Sequence, residues 1–269
     1  MFKLAYCAGH YRQTPGKRIP ANLDPAQTRE WVLNDRVARH LEAAAKVYPE
    51  VALLRTDDPT GNTFVDIPER TGKANAWGAD LYLDLHHNAG IQGGSGGGVV
   101  AFSYPGSAKG KQYRDAIYRA VIAAGGLKGN RANPLQEKKF DSLRLAYAPA
   151  VLMEYGFMDS TTDVPVILTD DYAKKVAYAT MEGIAQVAGL KKTRATCTVK
   201  LPVLTPGDTG EAVKAMQCLL TGQGFACAAD GVYGAATENA LLAFKEKVGL
   251  TLTVNCGIQT WSALLGVKV

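Results

Sequence analysis

Between residues 1 and 190, short apolar runs alternate with longer stretches whose apolar residues recur every three or four positions. The apolar runs, among them FKLAYCAG, VALLR, LYLDLHHN and PAVLMEYGF, predict strands at 2–9, 51–55, 81–88, 97–104 and 149–157. Helical spacing predicts helices over about 27–47, 67–77, 108–124 and 172–188. In the first of these, Val32, Val37, Leu41 and Ala44 recur at helical intervals. Strands alternating with helices imply the α/β class, a mainly parallel sheet with helices on both faces. In such sheets ligands collect where the strands deliver their carboxyl ends.

The pattern loosens between about 105 and 140, where YPGSAKGK is turn-rich and GGLKGNRANP reads as an exposed loop. Periodicity is lost again in GLKKTRATCTVKLP, which places a linker at 191–200. Beyond it, residues 201–269 carry three short helical patterns, at 209–222, 235–247 and 258–265, so a small all-α three-helix domain is expected. A domain of that size can fold alone. A half-repeat is visible there. GVYGAAT and NCGIQT each place a Thr three residues after a Gly at a helix start, where the hydroxyl can cap first-turn amides.

Composition adds bounds. A hydrophobic share of 47% with 20% charged residues suits a folded core and argues against disorder. No apolar run reaches 18 residues, so no membrane-spanning helix or stable membrane insertion is expected. The net charge is +5. In the tail Lys214, Lys245, Lys247 and Lys268 stand against Asp208, Glu211, Asp230, Glu238 and Glu246, so the positive excess lies in the body. A basic body suits a polyanionic surface such as cell-wall polymer or nucleic acid, and scattered solvated charge is the equal alternative. No basic run interleaved with aromatics points to nucleic acid. The start MFKLAYCAGHYRQ lacks a long apolar centre, so synthesis in the cytoplasm without a signal peptide is expected. Four of the five cysteines, Cys197, Cys218, Cys227 and Cys256, cluster near the C-terminus without C-x-x-C spacing. They read as buried thiols if the protein stays in the cytosol, and as a source of a disulfide if it leaves.

Four residues carry candidate chemistry. His10 and His86 end predicted strands, Glu30 opens the first long helix, and Glu154 lies inside an apolar strand. Two imidazoles and a carboxylate form a ligand set for a catalytic zinc that keeps one position open. Glu154, between Leu152, Met153 and Tyr155, is costly to bury unless paired or functional, and is free to act as general base. Strand alternation groups His86 with Asp84 and Asn88 and sends His87 to the other face, which favours His86. His40, in the middle of a helix, reads as a surface or packing residue.

Taken in order, AGH at 8–10, E-x-x-x-N from Glu30 to Asn34, R-x-x-x-A-N from Arg70 to Asn75, GADLYLDLHHNA at 78–89 and PAVLMEYGFMD at 149–159 form a specific set. Over roughly residues 2–190 the chain resembles the zinc-dependent N-acetylmuramoyl-L-alanine amidases of the Amidase_3 type. The resemblance implies Zn2+ held by His10, Glu30 and His86, with Glu154 as acid/base and Arg70 and Asn88 in support. It further implies hydrolysis of the amide between the lactyl group of N-acetylmuramic acid and L-alanine in peptidoglycan. Three features depart from the commoner pattern: GHYRQTPGKR lacks the glycine-rich follow-up to the first His, Asp84 stands where Ser is usual, and Cys7 sits near a ligand.

The tail resembles a small three-helix peptidoglycan-binding domain through LTPGDTGEAVKAMQCLL, DGVYGAATENALLAFKEKVGL and GIQTWSALL, although Thr253 and Val254 replace the Asp-Gly of the third loop. Tyr233, in a loop, is the expected wall contact, whereas Phe244 and Trp261 read as bundle core. The resemblance as a whole implies a cell-wall lytic enzyme, with a phage or prophage endolysin preferred over an autolysin of the mother cell. A zinc peptidoglycan peptidase and a non-catalytic wall-binding protein are the rivals.

Overall fold

A computed structural model describes residues 1–193 and 200–267. The chain divides into two compact units, Met1–Arg194 and Ala195–Val269. Among the described residues the first contains six strands: β1 (Phe2–Ala8), β2 (Val51–Arg55), β3 (Leu81–Asn88), β4 (Val100–Ser103), β5 (Leu135–Glu137) and β6 (Ala150–Phe157). Its helices are α1 (Glu30–Ala45), α2 (Ile67–Trp77), α3 (Ala108–Ala123), α4 (Asp141–Arg144), α5 (Val164–Ile167) and α6 (Asp170–Ala188). The strands form one sheet in the order β2-β1-β3-β6-β4-β5. The first four run parallel; β4 is antiparallel to β6, and β5 is parallel to β4.

Alternation along the strands builds two cores. Leu4, Tyr6 and Ala8, Leu81, Leu83 and Leu85, and Val151, Met153 and Tyr155 share one core with residues of α1, α3 and α6. Ala5, Cys7, Tyr82, Ala150 and Leu152 face the other way, onto Ala74 of α2 and Leu143 of α4. A sheet buried on both faces explains why its strands read as nearly continuous apolar runs.

Several boundaries differ from the sequence expectation for local reasons. Helix α1 starts at Glu30 rather than near 27, because Gln27 has a left-handed φ of 50° and Arg18 bridges Arg29 just before the helix. Strand β4 starts at Val100 rather than 97, since Gly97 and Gly98 take φ of 114° and 88°. Helix α6 begins at Asp170, where the Thr169 hydroxyl accepts from the Tyr172 amide. Elements β5, α4 and α5 are only three or four residues long, too short to show a period.

Among its described residues the second unit has three helices, α7 (Glu211–Gly222), α8 (Ala235–Val248) and α9 (Ile258–Leu265). Their core includes Leu204, Met216, Leu220, Leu241, Phe244 and Trp261. The half-repeat is real, but its caps are not the threonines. Gly234 and Gly257 occupy the N-cap positions without side-chain bonds. Thr237 instead accepts from Gln217 Nε2 at 2.9 Å. Tyr233 is also corrected: it is 1% exposed and its hydroxyl donates to Val254 O at 2.5 Å, so the ring is core rather than an exposed wall contact. Trp261 is buried as expected, with Nε1 donating to Pro202 O at 2.8 Å. Among the described residues Cys7, Cys218, Cys227 and Cys256 are free thiols. Cys197 and most of the expected 191–200 linker lie outside the described residues.

Candidate metal centre

The site begins where β1 ends. His10 turns the chain with a left-handed φ of 67°, a conformation costly outside glycine. Two elements hold that turn. Arg70 of α2, nearly buried, donates to Ala8 O at 3.2 Å, His10 O at 2.7 Å and Val65 O at 2.8 Å. Asn34 of α1 donates to Gly9 O at 3.1 Å. Gly9 has no room for a side chain, because a Cβ there would stand 2.1 Å from His86 Cε1.

Glu30 and Asn34 lie one turn apart on α1 and so point the same way. Glu30 is 1% exposed in the first turn, where the helix dipole favours a carboxylate. Its Oε1 lies 2.9 Å from His86 Nδ1 and accepts from the His87 amide at 3.3 Å. Its Oε2 lies 3.3 Å from His10 Nε2 and 3.6 Å from Lys17 Nζ. The two imidazoles stand perpendicular, with centroids 5.0 Å apart. One ligand atom each from His10, Glu30 and His86 fall within 4.8 Å of one another.

The electrostatics follow from this crowding. Burial pushes the Glu30 carboxyl up, but hydrogen bonds from His10 and His86 outweigh it and hold the group well below the usual range. His86 shows the reverse balance. Burial disfavours its charge, yet Asp84 and then Glu30 raise its pKa well above the ordinary histidine value. Burial dominates at His10, whose pKa is lowered despite Glu30.

His87 points to the other face, as alternation requires. Its Nδ1 lies 2.8 Å from Asn34 Oδ1, and burial depresses its pKa to about 3. Glu154 pairs in register with His86 across β3 and β6. Its Oε2 is sealed from solvent without a hydrogen-bond partner, and burial pushes its pKa up to about 8 against the pull of His86. A small cavity of ≈ 140 Å³ opens beside the cluster, lined in part by His10, Phe64, Tyr82, Asp84 and His86.

The structure therefore brings His10, Glu30, His86 and Glu154 to one place, with Arg70 behind the turn. Asn88 stands apart from that network: past a register shift in β3, its Oδ1 accepts from the Ala89 amide at 2.8 Å. Tyr233 lies in the other unit. Sequence reasoning gave no role to Asn34 as the link between Gly9 and His87, although the E-x-x-x-N spacing carries that signal. Alternation puts Asp84 on the face of His86, and the structure brings its Oδ1 to 3.1 Å from His86 Nε2.

Comparison with known proteins matches residues 6–186 to the N-acetylmuramoyl-L-alanine amidase family. Residues 209–264 match a peptidoglycan binding domain. The N-acetylmuramoyl-L-alanine amidase CwlM of Bacillus licheniformis is 33% identical over 146 residues, covering 54% of this chain and 53% of that protein. The endolysin of Bacillus phage SPP1 is 32% identical over 199 residues, covering 71% of this chain and 68% of the other. The chain spans little more than half the length of the first curated relatives it matches. The catalytic domain of CwlV, an amidase from Bacillus (Paenibacillus) polymyxa var. colistinus, shares the fold. Its TM-score is 0.62 at 20% identity, covering 71% of this chain and all of that one.

Proposed function

The chain belongs to the N-acetylmuramoyl-L-alanine amidase family, and on that premise we propose that it hydrolyses the amide between N-acetylmuramic acid and L-alanine in peptidoglycan, using zinc at His10, Glu30 and His86. One observation carries the reading: two imidazoles and a carboxylate converge within 4.8 Å, beside the unpartnered buried carboxylate oxygen of Glu154. The donor set fits the ion. Two neutral nitrogens and one anionic oxygen suit zinc with a position left open. A cation would also give the buried, unpartnered Glu154 Oε2 an opposite charge to face, beside a Glu30 carboxylate already met by Lys17 and His86. When bound, zinc polarises the scissile carbonyl and makes water a better nucleophile.

The chain's own residues supply the rest. Glu154 takes the proton of the attacking water at its carboxylate and hands it to the leaving L-alanine nitrogen. Its burial favours the protonated form, which suits the second half of that exchange, and a nearby cation favours the ionised form needed for the first. Arg70 and Asn34 hold the turn that aims His10, so they act on geometry rather than on substrate. The C-terminal unit is proposed to keep the enzyme on the wall, as its match to a peptidoglycan binding domain suggests. Likeness to a phage endolysin over most of the chain supports a lytic role on the bacterial wall.

A zymogram on peptidoglycan tests this. Clearing should vanish with a strong chelator and return with added zinc. Clearing that persists in a protein stripped of metal would overturn the zinc reading.

A further inference from the structure

Cys7 and Asp84, two of the departures from the commoner motif pattern, touch each other. Asp84 is 4% exposed and shares a strand face with His86. Its Oδ1 accepts the Cys7 thiol at 3.0 Å and lies 3.1 Å from His86 Nε2. The Tyr82 hydroxyl lies 3.2 Å from the same sulfur. On the opposite edge of the ring, His86 Nδ1 faces Glu30, which in turn faces His10.

An ionised carboxylate only accepts hydrogen bonds, so the ring nitrogen facing Asp84 carries a proton. Glu30 faces Nδ1 from the opposite edge, on the side of His10, so a cation held between His10, Glu30 and His86 would take the place of a proton on Nδ1 and leave the one facing Asp84. We propose that Asp84 is a positioning residue for the metal centre: its buried carboxylate holds the Nε2–H of His86 and commits Nδ1 to the cation. The proposal rests on reading His10, Glu30 and His86 as the metal ligands. A carboxylate behind a ligating imidazole fixes both the tautomer and the ring orientation and makes the donor nitrogen more basic. A serine in place of Asp84 is shorter and can donate as well as accept, so it leaves the tautomer open. The Cys7 thiol has its own part. A buried carboxylate needs donors, and the thiol supplies one without competing for the metal side of the ring.

The test compares the full-length wild type with Asp84→Ala, Asp84→Asn and Cys7→Ala. Zinc affinity is read by competition with a chromophoric chelator, and the imidazole nitrogens of the zinc-loaded proteins by nitrogen-15 NMR. The wild type should show His86 bound through Nδ1 with a slowly exchanging Nε2–H. Both Asp84 variants should bind zinc roughly 10–100-fold more weakly and lose the protection of that proton. Cys7→Ala keeps the carboxylate and should show the wild-type ring spectrum. Asp84→Asn, nearly isosteric, guards against misfolding of the alanine variant. Wild-type zinc affinity and ring spectrum in folded Asp84→Asn would overturn the positioning role alone. A wild type that binds zinc through His86 Nε2 would overturn it too. A wild type that binds no zinc at this site would overturn the metal reading, and the positioning role with it.

Discussion

His86 and His87 are neighbours in sequence and opposites in space. One meets Glu30 and Asp84 on the site face, while the other bonds Asn34 within the helix-covered core. His86→Ala should therefore lose zinc, as read by metal analysis of the purified protein, and His87→Ala should keep it. Zinc kept by His86→Ala and lost by His87→Ala would contradict that assignment. The buried His87 also makes stability depend on pH. Its folded pKa of about 3 lies below the unfolded value near 6.5. Its contribution is thus complete above about 6.5 and is lost as pH falls toward 3, because only the unfolded chain takes up the proton. Thermal melts should fall across that window, and His87→Gln should flatten part of the slope. Glu154→Gln should retain fold and zinc yet lose activity on the order of 100-fold or more, measured on soluble muramyl-peptide. Loss of zinc in that variant would instead make Glu154 a ligand. At this scale the convergence of His10, Glu30, His86 and Glu154 was legible because residue type, strand alternation and ordered motifs agreed. Tyr233 was not. Its loop position suggested exposure, but the bond to Val254 O and the packing that buries the ring come from distant parts of the chain.

The exit of β1 shows how elements set the site. Gly9 lets the His86 ring lie against the backbone, and the contacts from α1 and α2 hold His10 in its left-handed turn. Gly9→Ala should push the ring aside and weaken zinc binding roughly 10-fold or more, measured by chelator competition. Wild-type affinity would show that the turn has slack. In the tail, Trp261→Ala removes a fully buried ring and should destabilise that unit by about 3–5 kcal/mol, read by denaturant melts. The long elements of both units were legible because their apolar periods run over many residues. The strand at 135–137 and the helices at 141–144 and 164–167 were not, since three or four residues cannot display a period and tertiary contacts decide them. The tail caps were misread for a related reason. The threonines sit where capping chemistry is plausible, but the N-cap positions fall three residues earlier, on Gly234 and Gly257, and Thr237 turns inward to Gln217.

Across the whole molecule, two units with separate cores suggest separable work. If the C-terminal unit raises the local concentration of enzyme on the wall, a chain cut after Thr193 should hydrolyse small soluble muramyl-peptides about as well as the full chain and intact walls distinctly less well. Equal wall activity would remove the anchoring role. Charge is a second whole-molecule property: the basic excess in the body suits an anionic wall, so binding to walls should weaken as salt rises. The central claim, however, is which bond breaks. Mass spectrometry of fragments released from defined peptidoglycan by the zinc-loaded protein tests it most directly. Amidase action leaves a free lactyl carboxyl on muramic acid and a new amine on L-alanine. Fragments that keep this amide intact and are cut within the peptide stem would contradict the claim.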